Sequence, residues 1–316
     1  MPSILSSIRS IRIIPRGGRP PAAIEITPEG VLAAARPFLI RRRGKSLPGQ
    51  AAIYAFAPLP AGAVISSLEE PNLRSPEALS AAIRSALAQV SPHTHTVTVV
   101  LPDPLIRIFI LDFDSLPTKD SEAISLIRFR LRKVVPFDVE EAGVSYQVLA
   151  QSPTECKALA AVIPGPVLAE YEAAVRTAGY EPGAVLASSL AALENLGDME
   201  AVLAANLASL TLTTCIANGQ DLLLYRILDL PEDPAQRAAE IQHGVAVAAA
   251  YFEDKLGSAP RQLLYSGKLS AAEFAQAVAN PELTVSEWIS RPEEGAMTAL
   301  PDTSFAGVAG ALEGAS

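Results

Sequence analysis

Apolar positions along the chain follow two rhythms. Alternating or β-branched runs predict strands at 22–26, 31–35, 51–57, 96–101, 156–163, 221–228, 262–265 and 283–288. Three- and four-residue steps predict helices. One opens at Pro76 and buries Leu79, Ile83, Leu87 and Val90; another, over 166–178, buries Val167, Tyr171, Ala174 and Val175 and is closed by Gly179. Further helices fall at 235–255, closed by Gly257, at 271–278 and at 303–312. Residues 59–65 turn into a further short strand. The alanine-rich run 185–196 reads as a buried helix, and 201–217 as strand material leading to an Asn218-Gly219 hairpin turn.

The span 111–149 is the most distinctive. It reads as a strand, a helix between Pro117 and Pro136, and a second strand in which Val144, Tyr146 and Val148 alternate with Ser145 and Gln147. Ile124, Ile127, Leu131 and Val134 form one apolar helix face, with Arg128, Arg130, Arg132 and Lys133 around the rest of the last turns, where cations suit the helix dipole. Element order also repeats: a hairpin followed by an αβ unit occurs over 22–101 and again over 201–267.

A length of 316 residues fits about two domains. With only 5% aromatic residues, the cores must be built from Leu, Val, Ile and Ala. Net charge is −9, yet residues 1–50 carry +7, which leaves −16 on the rest. That balance argues against nucleic acid as a partner. Residues 1–20 read as a flexible basic leader, and Arg41-Arg42-Arg43-Gly44-Lys45 as a basic loop suited to anionic headgroups or an acidic peptide. Cys156 and Cys215 lack the spacing of a disulfide framework or zinc site, and a reducing compartment suits them. The uncharged run 201–220 contains Asn206, Ser209 and three threonines, so a spanning helix is not expected, and no secretory signal is evident. His93 and His95 have no third ligand in view, so no metal site is assigned. No nucleophile–base spacing is present, and no catalytic residue is assigned.

The wording of the distinctive span adds a resemblance. Val135-Pro136-Phe137-Asp138, the acids Glu140-Glu141 and then Ser145-Tyr146-Gln147-Val148-Leu149 resemble the PilM family of type IV pilus assembly proteins, relatives of FtsA. The resemblance covers about 22–314 and implies an α/β, actin-like (ribonuclease H-like) fold, duplicated into two halves with a small inserted α+β subdomain. The implied boundaries are a leader at 1–20, a first half at 21–104 and 165–197, an insert at 105–164 and a second half at 198–316.

In that family each half opens on a phosphate-binding hairpin that begins Asp-Ile-Gly. The matching residues here are Glu25-Ile26-Thr27-Pro28-Glu29-Gly30 and Asn206-Leu207-Ala208-Ser209-Leu210-Thr211, with Ser266-Gly267-Lys268 where the adenine-side motif would be. The resemblance therefore implies Glu25, Asn206, Ser209, Thr211, Gly267 and Lys268 as nucleotide-binding positions. Loss of the glycines and of one acid weakens the phosphate cradle and the Mg²⁺ site together, so weak or absent ATP binding and hydrolysis is expected. The implied role is a non-catalytic assembly protein, peripheral to the cytoplasmic face of the inner membrane, that works within the pilus inner-membrane complex. It would hold an extended PilN-like peptide between insert and first half, through Arg128, Arg132, Ile124, Ile127, Leu131 and Phe137, with the arginines exposed at the rim. Membrane contact would be indirect or through the leader. Two alternatives stay open: a GspL-like cytoplasmic component of type II secretion, which would be expected to continue into a membrane helix, and a sugar- or acetate-kinase-like enzyme of the actin superfamily.

Overall fold

The computed structural model describes residues 19–36, 52–197, 199–208, 210–219, 221–289 and 304–313. The basic loop 41–45, most of the leader and Ser209 lie outside the described residues. In chain order the first elements are β1 (Ala22–Thr27), β2 (Gly30–Ala35), β3 (Ile53–Pro58), α1 (Pro76–Val90), β4 (Thr96–Leu101), β5 (Arg107–Phe113), α2 (Asp120–Leu131), β6 (Gly143–Gln151), β7 (Cys156–Ile163) and α3 (Gly165–Thr177). There follow β8 (Glu181–Ala187), α4 (Ser188–Ala192), β9 (Val202–Leu207), β10 (Thr211–Asn218), β11 (Asp221–Asp229), α5 (Pro234–Leu256), β12 (Gln262–Gly267), α6 (Ala271–Val278), β13 (Thr284–Glu287) and α7 (Ala306–Glu313).

These elements form two compact units. Among the described residues, the first takes those of 19–105, 166–195 and 289–313; the second groups 106–165 with 196–288. The first holds a five-stranded sheet in the order β3-β2-β1-β4-β8. Strands β1, β2 and β3 pair antiparallel, and β4 and β8 join in parallel. Beside it α7 packs Val308, Ala309 and Leu312 on Ala23, Leu32, Val100 and Leu186. The second unit repeats the plan as β11-β10-β9-β12-β13, again three antiparallel strands followed by two parallel ones. Its core joins Leu203, Leu212 and Ile216 to Val245 and Phe252 of α5 and to Phe274 of α6, whose ring stacks on Tyr265 with centroids 4.0 Å apart. The duplicated α/β plan expected from the element order is thus the observed one.

The third sheet, β5-β7-β6, is antiparallel and carries α2, which gives the subdomain a βαββ order. Its core is Phe113, Ile127, Leu131, Val139, Ala142, Cys156, Ala158, Ala160 and Val162.

Local rules explain most boundaries. Helix α5 begins at Pro234 because Asp233 caps it, its carboxylate accepting the Gln236 N–H at 2.9 Å. It ends at Gly257, whose φ of 73° is the left-handed conformation glycine adopts readily. Asp233→Ala should cost about 1 kcal/mol in a urea denaturation series, the usual value of one cap.

Three expectations are corrected. Residues 181–187 form a parallel strand, and the helix begins only at Ser188. The expected strand at 59–65 is reduced to a single bridge between Val64 and Leu73. Val134 lies beyond the end of α2 and is exposed; the buried stripe of the helix is Ala123, Ile127 and Leu131.

Candidate functional site

Glu25 lies in the middle of the first sheet, opposite Leu32 of β2 and Val100 of β4. Its carboxylate is buried and accepts the Ser188 hydroxyl at 2.5 Å and the Val308 N–H at 2.8 Å. It therefore ties β1 to the first residue of α4 and to the first turn of α7. A Cβ on Gly307 would meet its carboxyl oxygens at 2.6–2.8 Å, so α7 needs glycine there. Asp103, also buried, does the same for α4, accepting the Ser189 N–H at 2.8 Å and the Ser189 hydroxyl. Burial pushes the Glu25 carboxyl up to about 7; the bonds from Ser188 and Val308 oppose that rise, and the charge of Asp103 adds to it. Sequence reasoning missed Ser188, Asp103 and Gly307. The only visible sign was the Ser188-Ser189 pair interrupting an otherwise apolar run.

The turn beyond Glu25 is closed on itself. The Thr27 hydroxyl donates to the Gly30 carbonyl at 3.1 Å and accepts the Gly30 N–H at 3.2 Å. Pro28 has no N–H, and the Glu29 carbonyl takes the N–H of Leu59 at 2.9 Å.

In the second unit Asn206 on β9 faces Ser266 on β12 across a parallel pair, and the Ser266 hydroxyl donates to the Asn206 side-chain oxygen at 3.4 Å. Thr211 is buried at the start of β10, and its hydroxyl has no hydrogen-bond partner among the described residues. Gly267 has φ 151°, and a Cβ there would come within 2.5 Å of the Leu207 carbonyl and the Tyr265 hydroxyl. Close packing of β9 and β12 thus accounts for this glycine. Lys268 beside it is exposed.

The inserted subdomain places its expected partner residues unequally. Ile127 and Leu131 are fully buried in its own core, while Ile124 and Phe137 are half-buried. Arg128 is not a rim residue. Its guanidinium donates to the carbonyls of Val139, of Glu140 at 3.2 Å and of Ala142 at 2.9 Å, pinning the 139–142 turn under the helix. Arg132 is exposed and forms an ion pair with Glu140, its Nε 3.0 Å from the carboxylate. The expectation that both arginines stand free fails because the turn after Pro136 folds back beneath α2.

No protein-family profile matches the chain, and no curated protein matches it in sequence. Solved structures do match. The structure is similar to a chain of a PilM–PilN type IV pilus biogenesis complex, with TM-score 0.70 and 16% identity, over 96% of this chain and 100% of that one. The fold is actin-like. Looser likenesses are the cytoplasmic domain of EpsL, an inner-membrane component of the Vibrio cholerae type II secretion system (TM-score 0.47, 13% identity, 87% of this chain and 90% of that one), and a Bacteroides thetaiotaomicron protein with actin-like ATPase fold and unknown function (TM-score 0.45, 11% identity, 84% and 90%).

An actin-like ATPase would hold Mg²⁺–ATP on two such hairpins. The residues at the first do not fit it. Glu25 is committed to Ser188 and Val308, and its raised pKa disfavours the charge a Mg²⁺ site needs. The turn has neither a donor at Pro28 nor an uncommitted one at Gly30. Among the described residues no group of three or more His, Cys, Asp or Glu is placed to hold a metal ion, and no helix is long and apolar enough to cross a membrane.

Proposed function

We propose that this chain is a non-catalytic scaffold of a type IV pilus machine, working at the inner membrane and holding an extended, PilN-like cytoplasmic peptide. The observation that carries the reading is the likeness to the PilM–PilN complex, end to end at TM-score 0.70. The closed first hairpin supports the non-catalytic part, because an actin-like enzyme needs those backbone donors for phosphate. On the insert, Arg132, Ile124 and Phe137 are the residues left to meet the peptide. Arg128, Ile127 and Leu131 serve the subdomain's own fold.

A synthetic peptide of a PilN cytoplasmic tail, titrated into the protein, should bind with a Kd of about 1–10 µM, in the range of roughly 7–8 kcal/mol. Arg132→Glu should weaken it, and Mg²⁺–ATP should be neither hydrolysed nor required. No binding at saturating peptide would overturn the scaffold reading. Mg²⁺-dependent turnover abolished by Glu25→Ala would overturn the non-catalytic one.

A further inference from the structure

The two most exposed large apolar side chains among the described residues lie close in sequence on the inserted subdomain: Phe129 at 56% and Val134 at 55%. Phe129 sits two residues from the buried Ile127, and at about 100° per residue it points to the opposite side of α2 from the core. Val134 follows where the helix ends. Neither belongs to the subdomain's apolar cluster. Both project outward.

The polar surroundings say what such a surface fits. Arg130 and Lys133 flank the two side chains and are exposed, Arg130 lying over the Phe113 ring with its guanidinium carbon 5.4 Å from the centroid. Arg132 is held by Glu140. The other acids of α2 and the turn after it are Asp120, which accepts the Tyr146 hydroxyl at 3.2 Å, Glu122, which faces Lys119 at 3.3 Å, Asp138, whose carboxylate accepts the Glu140 N–H at 2.9 Å, and Glu141. An aromatic and a valine standing out between two cations match the boundary of an anionic bilayer, where rings settle at headgroup depth and Lys and Arg meet phosphate. Residues 1–50 carry +7, so like charge opposes their docking on this basic surface.

We propose that the C-terminal end of α2 is a membrane-docking surface, with Phe129 and Val134 entering the interface of an anionic bilayer and Arg130 and Lys133 contacting its headgroups. This goes beyond the scaffold reading, which leaves membrane contact to partners or to the leader.

The test is co-sedimentation of the full chain with vesicles of equimolar phosphatidylglycerol and phosphatidylcholine, against phosphatidylcholine alone. The wild type should sediment with the anionic vesicles only, and less so as salt is raised. Phe129→Ser/Val134→Ser and Arg130→Glu/Lys133→Glu alter exposed positions, so both should keep the wild-type circular dichroism and each should weaken partitioning about tenfold or more. Phe129→Trp should show an emission blue shift on these vesicles, against the buried Trp288 as a constant background. The proposal is overturned by no sedimentation at all, or by unchanged partitioning in both double variants, which would assign the membrane to the leader. It is equally overturned by a wild-type dimer in light scattering that Phe129→Ser/Val134→Ser dissolves, which would make the patch a self-interface. Neither peptide nor nucleotide enters the assay, so its failure leaves the scaffold reading standing.

Discussion

Replacing Arg128 with alanine will lower the unfolding free energy by about 3 kcal/mol, a large effect for a helix residue that is only half-buried. The guanidinium donates to three carbonyls, those of Val139, Glu140 and Ala142, and Val139 and Ala142 are themselves buried. Truncation leaves the buried Ala142 carbonyl without its charged donor and the Val139 carbonyl with only the Ala142 N–H at 3.3 Å, and a hydrogen bond from a charged donor is worth roughly 1.5–3 kcal/mol. Arg128→Lys should recover only part of the loss, since a point charge cannot reproduce a planar fork. Arg132→Ala is the control. Its pair with Glu140 is exposed on both sides and should be worth less than about 1 kcal/mol. Urea denaturation of the three variants measures this, and equal losses for Arg128→Ala and Arg132→Ala would remove Arg128 from its structural role.

Glu25 will make the stability depend on pH. In the folded protein its carboxyl keeps its proton to about pH 7, whereas the ordinary value is 4.5. A raised acid favours the protonated form in the folded state. Its contribution is therefore complete below pH 4.5, declines as pH rises, and is gone above about 7. The shift corresponds to roughly 3 kcal/mol across that window. Glu25→Gln removes the titration while keeping both partners, since the amide oxygen can accept the Val308 N–H and the amide nitrogen can donate to the Ser188 hydroxyl. The variant should match the wild type near pH 4.5 and exceed it at pH 8. A wild-type profile that stays flat from pH 4.5 to 8, or a slope retained in Glu25→Gln, would show that burial does not control this carboxyl.

The duplicated fold was legible because its signals are local. The hairpins at 22–35 and 211–229, helix α1 opening at Pro76 and helix α6 at Ala271–Val278 each follow from spacing and punctuation within a dozen residues. Strand β8 was not legible. Its apolar part, Ala184–Ala187, runs into the helix at Ser188 with no glycine or proline between them, and periodicity alone cannot separate the two. The stripe through Val134 ran on because Pro136 was expected to end α2 at its own position, whereas the helix unwinds from Arg132. Bulge geometry hid a third point. Between Val148 and Ala150 the register of β6 shifts, so Leu149 turns inward and Val148 outward, reversing the alternation read from the sequence. At the candidate sites the missing facts were long-range. Glu25 meets Ser188 and Val308, 163 and 283 residues away, and no local pattern encodes such a meeting. Spacing put Arg128 and Arg132 on one helix face but could not show that a turn would fold back under one of them.

The inserted subdomain leaves and rejoins the chain on neighbouring strands, with Arg107 of β5 directly opposite Val162 of β7. Its two ends are therefore side by side, and the flanking chain has the same short gap to span whether the insert is large, small or replaced by a few residues. The entropy of closing a loop rises only as the logarithm of its length, so growth at this point costs little. Residues 106–165 can therefore change in length while β4 and α3 keep their places, which makes this segment the one where the chain tolerates insertion or deletion at least cost.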